Sequence, residues 1–325
     1  VNDFTSATLS TICFSLFSSF VGILATPVNS NRSVMESPAT LLNKIISISL
    51  LEPRIDAVIL TGSRGRELNI DSYSDIDIEL IGHGVTALFH DKKWVSLIAN
   101  PLIALHLENG GENEPESPTC LVIYEEGRKV DFTFAEPSRL LNMQQQGLDS
   151  TYSRGFVVLL DKTGITDALS IQNSSALKPT PLTEQQFTEL VTDFWFEAHQ
   201  VAIALTRNEL WVAWSRSTDM KRFFLNLLER TVAHRVPPQD VWYNGKQYQQ
   251  WMPERIVQST ETLFDCGTTQ KAALSLHCLM GHFMEAMTEA IELFGYQDNR
   301  AVGLKVQEIV IGILKDNGLI PENLE

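Results

Sequence analysis

Residues 58–80 read VILTGSRGRELNIDSYSDIDIEL, and their pattern decides the fold. An apolar run, Val58-Ile59-Leu60, ends at Gly62-Ser63, polar residues follow, and the chain then re-enters an alternating run. In that second run Asp75, Asp77 and Glu79 fall on one side, and Ile76, Ile78 and Leu80 on the other. Alternation with a period of two predicts a half-buried strand. Two carboxylates two residues apart on a strand point the same way, with Cα atoms about 6–7 Å apart. Both can reach one hard cation, or bracket two cations about 3.5–4 Å apart. Gly62-Ser63 offers close backbone approach and a hydroxyl, which suits a phosphate. The same residues also fit a turn followed by a strand with a solvated acidic face.

A hairpin is expected further on. Cys120-Leu-Val-Ile-Tyr124 is followed by Glu125-Glu126-Gly127-Arg128 and a second run, Lys129 to Phe134. Val130, Phe132 and Phe134 share one face of that run; Lys129, Asp131 and Thr133 share the other. Asp131 is disfavoured by strand propensity. It is either solvated on an edge strand or, set beside Asp75 and Asp77, the third carboxylate of a two-metal site. Gly-Ser, followed twelve residues after the Ser by Asp-x-Asp, resembles the nucleotidyltransferase superfamily of the DNA-polymerase-β type.

The chain has 325 residues, enough for two domains that each bury a core. Its net charge of −15 argues against a nucleic-acid partner, which calls for a clustered basic surface. Such acidity suits a cationic small molecule, and equally suits solubility alone. Cys13, Cys120, Cys266 and Cys278 are scattered, which predicts a reduced, cytoplasmic chain. The seven histidines show no zinc-ligand spacing.

From Phe4 to Asn31 there is no charged residue, yet the stretch lacks a basic start and a small-residue cleavage site. Serines interrupt its apolar part, which is short for a membrane span. Residues 1–34 are therefore expected to be poorly ordered sequence upstream of a natural start at Met35, with a signal peptide or membrane anchor as the alternative. A helix is expected over residues 39–51, mixed helical and irregular structure over 85–105, an acidic loop over 107–118, and a strand over 155–160 leading to a turn at Asp161–Gly164. Residues 168–182, rich in Ser, Asn and Pro, read as an interdomain linker.

The second domain starts at Thr183, which forms a capping box with Gln186, and Leu182 with Phe187 fits a hydrophobic staple. Phe187, Leu190, Val191, Phe194, Ala198, Val201, Ala202 and Leu205 repeat at helical spacing and are assigned to a core. Amphipathic runs near 217–234, 270–295 and 300–316 complete a helical bundle. Glu189, Asp193 and Glu197 form one acidic stripe on the first long helix. That stripe is either a solvated face or a wall that receives a cation.

From about residue 36 to near 297 the order of features resembles the aminoglycoside 6-adenylyltransferase (streptomycin adenylyltransferase) family. The matching stretches are TGSR at 61–64, SDIDI at 74–78, LVIYEEGRKVDFTF at 121–134 and VVLLDKTG at 157–164. In the second domain they are DFW at 193–195, the R-x-E-L of Arg207 to Leu210, and YNGKQYQQWMPE at 243–254. The resemblance implies an α+β enzyme. A polymerase-β-like nucleotidyltransferase domain with a mixed sheet would span 35–167, and a helical substrate-binding domain 183–325. It further implies that Gly62, Ser63 and Arg64 hold the phosphates of ATP, and that Asp75 and Asp77 ligate magnesium. Asp131 would complete the set for two Mg2+ ions and act as the catalytic carboxylate near the acceptor hydroxyl. The expected reaction transfers AMP from Mg-ATP to an aminoglycoside hydroxyl, the 6-hydroxyl of streptomycin, with release of pyrophosphate. Another antibiotic or a protein hydroxyl as acceptor, or a non-catalytic nucleotide-binding module, are the rivals. A carboxylate is a weak base, so the metal or the field of the site must also acidify the hydroxyl. Asp193 and Glu197 are the candidate drug contacts, although Asp193 stands where relatives often have Glu, and Ile203 where they often have Lys. The expected partners are ATP and a cationic antibiotic, acting on a cytoplasmic monomer without nucleic acid or membrane.

Overall fold

The computed structural model describes residues 35–91, 93–110, 117–167, 169, 178–235, 241 and 244–324. The readings of residues 1–34, of most of 168–182 and of the middle of the 107–118 loop lie outside these residues. The chain divides into two compact units, Val1–Ser174 and Ser175–Glu325.

The first unit is built on a six-stranded sheet in the order β3-β4-β5-β2-β1-β6. Its strands are β1 (Ala57–Leu60), β2 (Ile76–Ile81), β3 (Pro101–Leu107), β4 (Thr119–Tyr124), β5 (Lys129–Ala135) and β6 (Val157–Asp161). β2 and β5 run parallel while the other neighbours are antiparallel, so the sheet is mixed. One face packs Ile76, Ile78, Val130, Phe132 and Trp94 against Leu41 and Ile45 of helix α1 (Pro38–Leu51). Ser37 caps α1, its hydroxyl accepting from the Thr40 N–H at 3.1 Å. The opposite face packs Ile59, Ile81 and Ala135 against Leu140, Met143 and Tyr152. This second face is covered only part of the way along. Glu79 and Ile81 are buried at its closed end, whereas Asp75, Asp77, Lys129 and Asp131 keep partial exposure at the other.

Two expectations are corrected here. Pro101–Leu107 is a strand, where mixed helical and irregular structure was expected. β3 lies at the sheet edge with most of its residues exposed, so burial imposes no alternation on its sequence. Glu79 does not belong to a solvated acidic face; it is 4% exposed. Short helices α2 (Gly62–Gly65) and α3 (Thr86–His90) connect strands, and α4 (Ser138–Gln146) covers the closed end.

The second unit is helical. Its long helices are α5 (Glu184–Thr206), α6 (Leu210–Ala233), α9 (Thr269–Phe294) and α10 (Arg300–Asp316), with short α7 (Glu254–Gln258) and α8 (Thr260–Phe264) between them. The capping box forms as expected: the Gln186 N–H donates to the Thr183 hydroxyl, and the Thr183 N–H to the Gln186 side chain. Every α5 residue assigned to the core from its spacing is buried. Phe194 stacks on Phe283 of α9 with ring centroids 3.5 Å apart, which ties α5 to α9. The R-x-E-L stretch is the reversal between α5 and α6, with Asn208 in the left-handed region at φ +57°. No helix among the described residues is long and apolar enough to cross a membrane.

Candidate active site

Register sets three carboxylates on one face at the open end of the sheet. Asp77 on β2 pairs directly with Asp131 on β5. In-register neighbours on parallel strands point the same way across a spacing of about 4.8 Å. Asp75 lies two residues before Asp77 and therefore on the same face. The sequence pattern assigned these acids to a common face of two strands, and the parallel pairing sets those strands side by side.

Gly62 closes the site from β1. The Thr61 N–H donates to the Asp77 carbonyl at 2.9 Å, holding the turn against β2. A Cβ at Gly62 would lie 2.0 Å from an Asp77 carboxylate oxygen, and the residue has φ +63°. Glycine is thus required twice at one position. Ser63 follows in the first turn of α2.

Lys129 joins the acids. Its ammonium donates to Asp75 Oδ2 at 2.8 Å and to Asp131 Oδ2 at 2.6 Å. Burial works to lower the lysine pKa, but the two carboxylates more than offset it and raise the group above its ordinary value. Lys129 was legible as a neighbour of Asp131 on the same strand face, but its role between two acids was not. Among the described residues no group of three His, Cys, Asp or Glu side chains is gathered to hold a metal as it stands. The donor set nevertheless fits a hard divalent cation: all candidates are carboxylates, and oxygens of Asp75 and Asp131 already converge on one positive charge.

Arg64, expected to contact phosphate, is held by backbone carbonyls in this structure. Its guanidinium donates to the backbone carbonyls of Asp71, Ser74 and Asp75 at 3.0–3.3 Å. Arg128, which the sequence reading missed, donates to the Ser72 carbonyl at 2.8 Å and to the Glu36 carbonyl. Two arginines therefore brace the 71–75 segment that delivers Asp75. The segment also braces itself, since the Tyr73 N–H and the Ser74 hydroxyl both donate to Asp71 Oδ1.

Behind the acids, Glu79 receives Arg139 and, at 2.8 Å, the Tyr152 hydroxyl; Arg139 also reaches Asp149 at 2.7 Å. Burial raises the Glu79 carboxyl above its usual range, opposed by Arg139 and by the Tyr152 hydroxyl. This cluster is a buried anchor under the site. Cys120, buried beside Asp131, has its thiol pushed up to about 11, mainly by burial, which makes it inert as a nucleophile.

In the helical unit, Glu197 accepts both contacts of a close ion pair with Arg216 of α6, at 2.8 and 3.0 Å. The acidic stripe is thereby partly neutralised. Asp193 is exposed on α5, and Glu189 accepts from Gln185.

The family model described as streptomycin adenylyltransferase matches residues 35–311 of the chain, well over half of it. No curated protein matches. Among solved structures, an aminoglycoside 6-adenyltransferase from Bacillus subtilis is 15% identical, with a TM-score of 0.41, covering 86% of this chain and 98% of that one. A nucleotidyltransferase-like protein from Exiguobacterium sibiricum 255-15 is 11% identical, with a TM-score of 0.32, covering 88% and 95% respectively.

Proposed function

We propose, for a chain that belongs to the streptomycin adenylyltransferase family and is a nucleotidyltransferase, that it transfers AMP from Mg-ATP to the 6-hydroxyl of streptomycin, releasing pyrophosphate. The observation that carries this reading is the pairing of Asp77 with Asp131 across β2 and β5, with Gly62 closed against Asp77. Asp75, Asp77 and Asp131 are the residues that would hold magnesium. When bound there, magnesium supplies positive charge to the phosphate oxygens and the leaving group. Gly62 and Ser63 receive the phosphates through close backbone approach and a hydroxyl. Asp131 orients the acceptor hydroxyl and takes its proton as the hydroxyl oxygen bonds to the α-phosphorus. The bond from that phosphorus to the pyrophosphate oxygen breaks in line. Arg64 and Arg128 act indirectly, by fixing the backbone that carries Asp75.

Lys129 has a part in the resting site. It holds two carboxylates that would otherwise repel each other, and it stays near the phosphates when they arrive. Asp193, exposed on α5, is the candidate drug contact in the helical unit; Glu197 is already engaged by Arg216.

The test is pyrophosphate release from Mg-ATP with streptomycin, spectinomycin, kanamycin and a lincosamide, alongside the Asp131→Asn variant. Release with streptomycin alone, reduced at least about a hundredfold in the variant while ATP affinity is retained, supports the reading. Release with another drug keeps the chemistry and replaces the acceptor. No release with any of the four, or wild-type turnover in Asp131→Asn, overturns it.

A further inference from the structure

The helical unit contains a cavity of about 500 Å³ between α6, the 244–264 segment and α9. That volume falls in the range of sites that enclose drug-sized molecules. Its wall is mostly apolar, and Trp214, Phe224, Tyr248 and Phe264 supply four aromatic rings. Two of these, Trp214 and Phe264, are 52% and 66% exposed, large apolar surfaces left in water. Charge on the wall is one-sided. Among the described residues it holds Lys221 and Arg222 and no Asp or Glu, although the chain carries 40 acidic against 25 basic side chains.

Arg222 is compensated by Asp219 at 3.2 Å, whereas Lys221 is not. The Lys221 ammonium donates to the Ser217 hydroxyl at 2.8 Å and to the Cys266 sulfur at 3.8 Å, and neither partner is a carboxylate. It also sits 5.4 Å from the centre of the Phe264 ring. Burial lowers the lysine pKa, the opposite of what a carboxylate partner produces at Lys129. An amine held on a mostly apolar wall without a carboxylate partner costs stability. A ligand that brings one anionic group to it removes that cost, and a flat apolar body fits the four rings.

We infer that this cavity of the helical unit is itself a ligand site, and that it takes a small aromatic carboxylate anchored on Lys221. The inference rests on the cavity, its one-signed wall and the place of the amine on that wall.

The experiment titrates the full-length protein calorimetrically with 2-naphthoate, 2-naphthylmethanol and 2-naphthylmethylamine, which share a ring system and differ in charge. The part of the tryptophan quenching that is lost in Trp214→Phe gives a local readout. 2-Naphthoate is expected to bind at least about tenfold more tightly than the alcohol, with the amine weakest, because a hydrogen bond to a charged group is worth that factor or more. In Lys221→Met the naphthoate falls to the level of the alcohol, while the alcohol is unchanged and thermal stability is not reduced. Lys221→Gln gives the same loss of preference should the Met variant fold poorly. Equal affinity for the three ligands, a preference that survives both variants, or no binding by any of them overturns the proposal.

Discussion

Gly62 is constrained by two separate demands, its backbone at φ +63° and the space its missing Cβ leaves for the Asp77 carboxylate. The two demands have different consequences. A side chain in the left-handed region costs about 1–2 kcal/mol in stability. A methyl group 2.0 Å from a carboxylate oxygen must move that carboxylate, and misplacement of about 1 Å in a reacting site can cost roughly a hundredfold in rate. Gly62→Ala is therefore expected to lose little melting temperature and at least about a hundredfold in turnover. Scanning calorimetry and pyrophosphate release on the same preparation separate the two effects. A variant that keeps turnover while losing stability would show that Gly62 serves only the turn. Asp75, Asp77 and Asp131 were readable from sequence because two-residue alternation is local. Lys129 is as local, but its bond to Asp75 depends on β5 lying beside β2, and no neighbouring residue records that pairing. The backbone contacts of Arg64 were hidden for a related reason: a guanidinium after Gly-Ser suits phosphate, and nothing in TGSR shows that the 71–75 segment folds back to meet it.

At the scale of elements, the capping box, the β4–β5 turn and the apolar stripe of α5 were legible, because each is specified within a few residues. β3 was not, since an exposed edge strand has no buried face to impress a pattern on it. The VVLLDKTG stretch gains a physical meaning. Asp161 ends β6, and its Oδ1 accepts from the N–H groups of Thr163, Gly164 and Ile165. Its Oδ2 accepts from the Thr166 N–H and hydroxyl at 2.9 and 2.6 Å. Burial works to raise this carboxyl, yet the Thr166, Thr163 and Gly164 donors hold it below its ordinary value. A carboxyl lowered on folding stabilises the protein above its unfolded pKa, about 3.9, and that contribution is lost as pH falls through the lower folded value. Asp161→Asn keeps one acceptor and loses the charge, so it is expected to cost about 1–3 kcal/mol at neutral pH. The difference from wild type should shrink as pH drops below about 3.9. Urea midpoints of both proteins at several pH values check this; a gap independent of pH would mean that the turn is held by shape and not by charge.

For the whole molecule, the helical unit follows from apolar spacing that the sequence displays, whereas the mixed sheet was expected only from the family resemblance. The buried Glu79–Arg139–Tyr152 cluster joins residues up to 73 positions apart and could not be anticipated from any one of them. Net charge is legible without a structure, and it bears on encounter more than on fold. With a charge of −15, the protein attracts the polycationic drug and repels the ATP of the proposed reaction over distances set by ionic strength. The Debye length shrinks from about 30 Å at 0.01 M salt to about 8 Å at 0.15 M. Raising sodium chloride across that range is therefore expected to lower kcat/KM for the drug severalfold. The value for ATP at saturating magnesium should hold steady or rise. Steady-state titrations of each substrate, at fixed saturation of the other, give both numbers. A parallel fall for drug and nucleotide would point to salt weakening the site itself. Indifference to salt for the drug would mean that the acidic surface serves solubility, and that recognition rests on short-range contacts such as Asp193.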